Sequence, residues 1–174
     1  DIVDFTKTMV MLGETTNLTA DEAATSIAQM ANVMRTAPED VDNLGAALVA
    51  LGNDGASTEA QILQMAQRIS GAGAQIGLAE SEILAIANAA ASMGIEAEAG
   101  GSAISRIFTE LAKATAQGGP KLEQFAQLAG MTADEFTRLF ESSPAQAFAA
   151  FTSGLDRLNK SGGDVFTMLQ QLGL

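Results

Sequence analysis

The chain has 174 residues and a net charge of −12, and it contains no Cys, His, Trp or Tyr. These absences exclude thiol chemistry, zinc sites of the usual type and histidine-based catalytic triads. The length is enough for one domain with a hydrophobic core, or for two small domains.

The chain begins at Asp1 rather than Met, so we expect it to be a fragment of a longer protein or a processed product. No basic leader precedes an apolar run at this end, and we therefore expect no signal peptide. No apolar run reaches the roughly 18 residues that a membrane helix needs, so we also expect no membrane span.

Apolar residues recur three and four positions apart, a spacing typical of amphipathic helices. The clearest stripes are Ile2-Phe5-Met9-Leu12, Ala23-Ile27-Met30-Met34, Val41-Leu44-Leu48-Leu51 and Phe148-Phe151-Leu155-Leu158. Alanine, about a fifth of the chain, has the highest helix propensity, and no sustained alternation marks a strand. We predict an all-α fold, a compact multi-helix domain. Its helices are predicted at 2–12, 20–36, 39–52, 58–72, 80–93, 99–117, 121–129, 133–141, 144–159 and 164–172.

Helix-capping signals support these limits. Thr19-Ala20-Asp21-Glu22 and Thr132-Ala133-Asp134-Glu135 have the capping-box pattern. Pro38, Pro120 and Pro144 stand where a first helical turn would begin, and Ser143 is a candidate N-cap. Five glycines follow apolar runs, as C′ glycines do: Gly13, Gly52, Gly94, Gly118 and Gly130.

Gly118-Gly119-Pro120 is the strongest internal break. We expect it to divide a main helical unit, residues 1–117, from a smaller C-terminal unit, residues 118–174, packed on the first. A weak pattern also recurs, in which a helix is followed by Gly, then by Thr or Ser, then by an acidic residue and a further helix. Ordinary helix capping explains this pattern better than internal duplication of the sequence does.

Two glycine-rich segments invite comparison with nucleotide-binding loops. Gly94 and Gly100 enclose five residues, no Lys follows, no strand precedes, and Glu96 would repel a phosphate. The segment from Gly71 to Gly77 follows a helix and does not match the dinucleotide fingerprint. We therefore interpret the first segment as a helix corner, in which Gly94 ends a helix, Ile95 plugs the corner and Gly100-Gly101 allow a close approach of backbones.

The acidic segment Glu39-Asp40-Val41-Asp42-Asn43 lacks two essential ligands of a calcium loop, because Leu44 and Leu51 occupy those positions. We interpret it as acids in the first turn of a helix.

The many carboxylates could serve glycoside hydrolysis, but the aromatic platform typical of sugar sites is missing. The lysines at 7, 113, 121 and 160 have no sequence context that marks a nucleophile. We identify no catalytic, cofactor-binding or metal-ligating residue.

The eight Met residues mostly fall on apolar stripes. Core filling is the favoured explanation, with a Met-rich groove for a partner helix as the alternative. We further expect helices 80–93 and 99–117 to pack together through Ala85, Ala89 and Ala103, so that Ala89→Leu would destabilise the fold through overpacking.

Charge is spread unevenly. Residues 1–93 hold twelve acids against three bases, and residues 94–174 hold nine against six. Binding to nucleic-acid phosphates requires clustered Lys and Arg, so we expect no nucleic-acid binding.

Several segments, in this order, resemble the core region of phage tail tape measure proteins of the lactococcal siphophage type. They are Val41-Asp42-Asn43-Leu44-Gly45-Ala46-Ala47-Leu48-Val49, Gly77-Leu78, residues 83–91, Met93-Gly94-Ile95, Gly101-Ser102-Ala103-Ile104-Ser105-Arg106, residues 128–136 and Leu169-Gln170-Gln171-Leu172-Gly173-Leu174. No segment is diagnostic alone; the order and spacing over most of the chain carry the resemblance.

The resemblance implies a structural and assembly module without catalytic residues. Tape measure proteins run along the lumen of the growing tail tube, set its length, and leave through the tail tip during genome delivery. It implies protein partners (tail tube, tail assembly chaperones, tail tip proteins and further copies of the full-length protein) and a place in the virion tail, after assembly in the host cytoplasm. The open alternatives are a non-viral all-α interaction domain or adaptor and, with less support from the residues, a wall-degrading hydrolase.

Overall fold

The computed structural model describes residues 2–174, except for the side chains of residues 2–5, 15 and 38. Within these residues the chain forms ten α-helices and no strand, which confirms the predicted all-α fold. The helices are α1 (Ile2–Thr15), α2 (Ala20–Met34), α3 (Val41–Asp54), α4 (Glu59–Gln75), α5 (Glu80–Ser92), α6 (Ala97–Gln117), α7 (Gly119–Ala129), α8 (Ala133–Ser142), α9 (Pro144–Lys160) and α10 (Val165–Leu172). Each end lies within three residues of the predicted one. A 3-10 turn, Pro38–Asp40, precedes α3.

Both predicted capping boxes are present, at the starts of α2 and α8. The N–H of Glu22 donates to Thr19 Oγ1 at 3.2 Å, and the N–H of Thr19 donates to Glu22 Oε2 at 2.9 Å. Thr132 and Glu135 exchange the same two bonds at 3.3 and 2.9 Å. The backbone hydrogen bonds from the two threonines lower the pKa of both glutamates.

The other predicted caps lie at the expected positions. Pro120 and Pro144 lie in first helical turns, as predicted, and Pro38 begins the 3-10 turn that precedes α3. Ser143 occupies the N-cap position of α9, as predicted, although its side chain makes no capping hydrogen bond. The same residue is the C-cap of α8, and its N–H donates to the carbonyl of Leu139 at 2.7 Å.

Three of the five predicted C′ glycines are confirmed. Gly94, Gly118 and Gly130 follow helix ends with φ of 75°, 69° and 76°. Gly13 and Gly52 instead lie inside α1 and α3. A Cβ on Gly13 would stand 2.8 Å from the backbone nitrogen of Ala20, and one on Gly52 would overlap the Glu59 carboxylate. Close contacts with neighbouring residues, rather than a turn, therefore explain why glycine stands at these two positions.

The predicted apolar stripes form buried helix faces. Fully or nearly fully buried members are Met9, Leu12, Ala23, Ile27, Met30, Val41, Leu44, Leu48 and Phe151. The stripe residues nearer the surface are half-buried: Met34, Leu51, Phe148, Leu155 and Leu158. The side chains of Ile2 and Phe5 lie outside the described residues.

Contacts within the chain divide it into two compact units. Unit 1 comprises the chain up to Gln75 and Ala79–Ser105, and unit 2 comprises Ile76–Leu78 and Arg106–Leu174. The boundary falls inside α6, whose residues through Ser105 belong to unit 1. Division of the chain into a main unit, 1–117, and a C-terminal unit, 118–174, stays a prediction.

In unit 1, α4 is the central helix and packs on α5, α2 and α3. The buried face of α5 is Ile83, Leu84, Ala87 and Ala90, whereas Ala85 and Ala89 are exposed. Ala103 of α6 is exposed as well. The predicted packing of α5 on α6 through these three alanines is therefore wrong, because α5 turns its apolar face to α4 and α3.

In unit 2, α7, α8 and α9 pack on one another around a phenylalanine cluster. The ring of Phe125 meets Phe151 edge-on at a centroid distance of 5.2 Å and stacks with Phe136 at 6.5 Å. Gly154 of α9 lies against the backbone of α7, where an added Cβ would overlap the carbonyl oxygen of Leu128. The absence of a side chain at Gly154 therefore sets how closely α9 approaches α7.

Glu110 of α6 joins two lysines of unit 2. Its carboxylate accepts hydrogen bonds from Lys113 Nζ and Lys121 Nζ, both at 2.8 Å. These bonds, that from Lys113 first, lower the pKa of Glu110 to about 2 from its ordinary 4.5, against a smaller opposing effect of desolvation. The pair with Lys121 links α6 to α7.

The buried face of α5 gives a matched test. Ala87 is fully buried, so Ala87→Leu should lower the free energy of unfolding by about 1–3 kcal/mol through overpacking. Ala89→Leu replaces an exposed alanine and should stay within about 0.5 kcal/mol of the parent. Urea denaturation measures both; equal losses would place Ala89 in a packed interface.

Gly154 and Gly71 give a second pair. Gly154→Ala should destabilise unit 2 by about 1–3 kcal/mol, because the new methyl meets a backbone carbonyl that has no rotamer to change. Gly71 lies in α4 with no atom within 4 Å of an added Cβ. Gly71→Ala should therefore stabilise the chain by about 0.5–1 kcal/mol through helix propensity. Thermal unfolding checks the signs, and stabilisation by Gly154→Ala would refute the close contact.

Glu110→Gln should lower stability at neutral pH by about 1 kcal/mol, the scale of ion pairs near the protein surface. The folded pKa is depressed, so the carboxylate's contribution is present above pH 4.5 and is lost as pH falls towards 2. The stability difference between parent and variant should shrink over that window. Glu123→Gln, which removes an exposed carboxylate of α7, is the control. A difference that persists unchanged at pH 2 would contradict the ion-pair origin.

Candidate functional site

The first glycine-rich segment is a helix corner, as the sequence predicts. Gly94 ends α5 with positive φ, α6 begins at Ala97, and Gly100 and Gly101 lie inside α6 rather than in a loop. A Cβ on Gly101 would overlap Arg68 of α4, so the glycine does allow a close approach. Ile95 covers Gly100 but is 41% exposed, so it plugs the corner only in part.

The acidic segment spans the 3-10 turn and the first turn of α3, and it adjoins a small cavity of about 220 Å³ lined in part by Asp40, Asn43 and Glu80. Asn43 Nδ2 donates to Asp40 Oδ1 at 3.4 Å, and Thr36 Oγ1 donates to Glu80 Oε1 at 2.6 Å. Among the residues whose side chains are described, no group of three or more acidic residues is arranged to hold a metal ion. These hydrogen bonds connect the 3-10 turn to α3, and the segment that follows α2 to α5.

The four lysines considered as nucleophiles lie on the surface. The side chains of Lys113, Lys121 and Lys160 are 56%, 37% and 75% exposed, and each ammonium pairs with a carboxylate. Lys7 is exposed as well. A nucleophilic lysine needs a desolvated pocket, which these positions do not provide.

The methionines divide into two groups. Met9, Met30 and Met65 are buried core residues, and Met34, Met131 and Met168 are half-buried, which fits core filling. Met11 and Met93 are 62% and 70% exposed. Exposed methionines of this kind are typical of adaptable contact surfaces, so for these two the alternative of a partner-binding surface stays a prediction.

Met11 borders an apolar surface depression that the sequence analysis did not predict. This depression, the α1–α3 groove, has a volume of about 550 Å³. Its apolar lining is Met11, Leu12, Gly45, Ala46, Val49 and Ala50. Its polar lining is Thr8 and Asp42, whose side chains are hydrogen bonded to each other. The groove is the strongest candidate for a functional surface in unit 1.

Packing of α1 on α3 determines the floor of the groove. An added Cβ on Gly45 would stand 3.1 Å from Thr8 Cγ2 and 3.4 Å from Leu12 Cδ1, so the two helices are close there. Leu12 and Gly45 are buried, whereas Ala46 and Ala50 are exposed. The sequence signal that could have found the groove is this pairing of small residues at i and i+4 on α3 beside an apolar stripe on α1.

A second groove, in unit 2, has a volume of about 430 Å³ and is lined in part by Gly154, Arg157 and Met168. Arg157 Nη2 donates to the carbonyl oxygen of Leu128 at 2.9 Å, near the end of α7. A cation at a helix C-terminus stabilises the helix dipole. This arginine is therefore engaged in helix capping within the groove.

The two units differ strongly in charge. Unit 1 holds fourteen acidic against three basic residues, a net charge of −11, and unit 2 holds seven against six, a net charge of −1. No helix of the described part of the chain is long and apolar enough to cross a membrane. The α1–α3 groove thus lies on the strongly acidic unit.

The described residues offer an apolar groove on a strongly acidic unit. Comparison with known protein families matches residues 1–173 to the family described as phage-related minor tail protein. No curated protein and no solved structure matches the chain. The family match assigns the chain a structural role in a phage tail, among other tail proteins of the virion. Because the match spans nearly every residue, the chain belongs to the phage-related minor tail protein family.

Proposed function

We propose that the chain is a structural and assembly module of a phage or prophage tail tape measure protein. In this role it helps to set tail length and later leaves through the tail tip during genome delivery. The observation that carries the proposal is the family match over residues 1–173, within which the tape-measure-like segments stand in order.

The positions of those segments in the fold support the proposal. Residues 41–49 form the first turns of α3, residues 83–91 lie within α5, and Met93-Gly94-Ile95 is the turn before α6. Residues 128–136 include the glycine end of α7 and the capping box of α8. The resemblance therefore falls on helix ends and packed helix faces, the features that define this fold.

The proposed role is not enzymatic. The lysines of unit 2 that could act as nucleophiles are exposed and ion-paired, and Glu110 is held ionised by two of them. A catalytic acid at neutral pH requires a raised pKa, the opposite of what Glu110 has.

The acidity of unit 1 suits a protein that shares a tail with the genome. A net charge of −11 repels the phosphates of DNA, and the three bases of this unit are too few to replace their counterions. We propose that the partners are proteins: tail tube, assembly chaperones, tail tip proteins and further copies of the full-length protein. Assembly would take place in the host cytoplasm.

Tail-length measurement tests the proposal directly. In the phage or prophage that encodes the chain, the 174 codons are deleted in frame and tails are measured by electron microscopy. If the segment is extended in the tail as one continuous helix, rather than folded into the ten helices described above, tails should shorten by up to about 260 Å, at about 1.5 Å per residue. In-frame duplication of the segment should lengthen tails correspondingly.

The matched control replaces the segment by an unrelated helical sequence of equal length. A ruler function predicts that this replacement restores tail length, whatever its effect on infectivity. Unchanged tail length after deletion and after duplication would contradict the tape measure role. Digestion of peptidoglycan by the purified chain alone would contradict the non-enzymatic part, and a parent gene far from any tail gene would contradict the tape measure role.

A further inference from the structure

We infer that the α1–α3 groove is a docking site for an amphipathic helix that carries basic residues beside its apolar stripe. The inference deepens the proposed function, because it assigns a surface and a chemistry to one of the protein contacts. The inference depends on the proposed tail role only for the identity of the protein that supplies the helix. Binding of a synthetic helix can therefore fail while the tail role stands.

The shape of the groove fits a helix ridge. Its volume of about 550 Å³ lies within the range of about 300–1,000 Å³ typical of binding pockets. The floor is closed by Leu12 and Gly45, and the flanks are the exposed Met11, Ala46 and Ala50. Small side chains on α3 leave room for the larger apolar side chains of a partner, and a methionine on α1 adapts to them.

The charge around the groove selects the partner. Asp42 lines the groove, and its carboxylate has acceptor capacity beyond the hydrogen bond from Thr8. Glu14 lies three residues after Met11 on α1, and Asp54 lies four residues after Ala50 on α3, so both are exposed on the faces that flank the groove. Lys7 is the basic residue of α1 on the Met11 face.

These charges argue against a second copy of the chain as the occupant. A symmetric contact between two copies would bring another unit 1, with its own net charge of −11, towards the same acidic surface. Like-charge contact of this kind opposes association, whereas lysine or arginine flanking an apolar stripe is favoured. The occupant that fits both shape and charge is a basic amphipathic helix from another protein.

The experiment uses the whole chain and a synthetic peptide of about 18 residues, or five helical turns, with leucines on one face and lysines beside them. A matched peptide has glutamate in place of every lysine. Ala46→Lys introduces a long cationic side chain into the groove, and the control Ala89→Lys makes the same change at an exposed alanine of α5 in the same unit. Fluorescence anisotropy gives the dissociation constants, and circular dichroism checks that both variants keep the parent helicity.

We expect the lysine peptide to bind, Ala46→Lys to weaken binding by about tenfold or more, and Ala89→Lys to weaken it by less than about twofold. The glutamate peptide should not bind. Asp42→Asn, which retains an oxygen that can accept from Thr8, should weaken the lysine peptide several-fold, and it decides the outcome if Ala46→Lys loses helicity.

Four results would overturn the inference. Absence of lysine-peptide binding would remove the site. If Ala46→Lys and Ala89→Lys weaken peptide binding equally, the peptide is attracted by the acidic unit as a whole and not by the groove. Equal binding of the two peptides would remove the basic requirement. Self-association of the parent that Ala46→Lys abolishes, seen by sedimentation, would make a second copy the occupant.

Discussion

Close approach between helix backbones at residues without a side chain is the constraint on which this structure depends. Gly13 lets α1 meet the start of α2, Gly52 makes room for Glu59 of α4, and Gly154 brings α9 onto the carbonyl of Leu128. No disulfide holds the chain together, since it has no cysteine. Stability must therefore come from the packing of small and medium-sized side chains, whose van der Waals contacts are most favourable when the helices lie close together. The α1–α3 groove follows from the same constraint, because Gly45 sets the spacing of its two walls.

Helix positions could be predicted from the sequence because their determinants are local. Stripe spacing and the Thr19 and Thr132 capping boxes act within one or two turns of the chain. A further box of the same type, between Thr58 and Gln61 at the start of α4, was within reach of the same rule and was missed.

Which helix faces pack against each other could not be predicted. The alanines of α5 look alike in sequence, yet Ala87 is buried and Ala89 is exposed because α4 lies on one side. The groove was unpredictable for the same reason, since an open space depends on how two distant segments are placed.

Electrostatics differ in kind between the two units. In unit 2, acids and bases nearly balance, and ion pairs such as those of Glu110 and Asp156 are internal to the unit. In unit 1, acids exceed bases by eleven, and the carboxylate of Glu22 is used for helix capping. Charge in unit 2 thus serves the fold, whereas the excess in unit 1 is available to select or repel other molecules at short range.

The sharing of α6 between two compact units has a consequence for folding cooperativity. The unit boundary lies between Ser105 and Arg106, with several helical turns on either side. Separating the units there would create a new helix start with four unsatisfied N–H groups and a new helix end with four unsatisfied carbonyls. Loss of structure in one unit therefore frays the helix that the other unit uses for its own core. The two units can be compact separately and still unfold in one coupled transition, because a continuous hydrogen-bonded helix links their free energies.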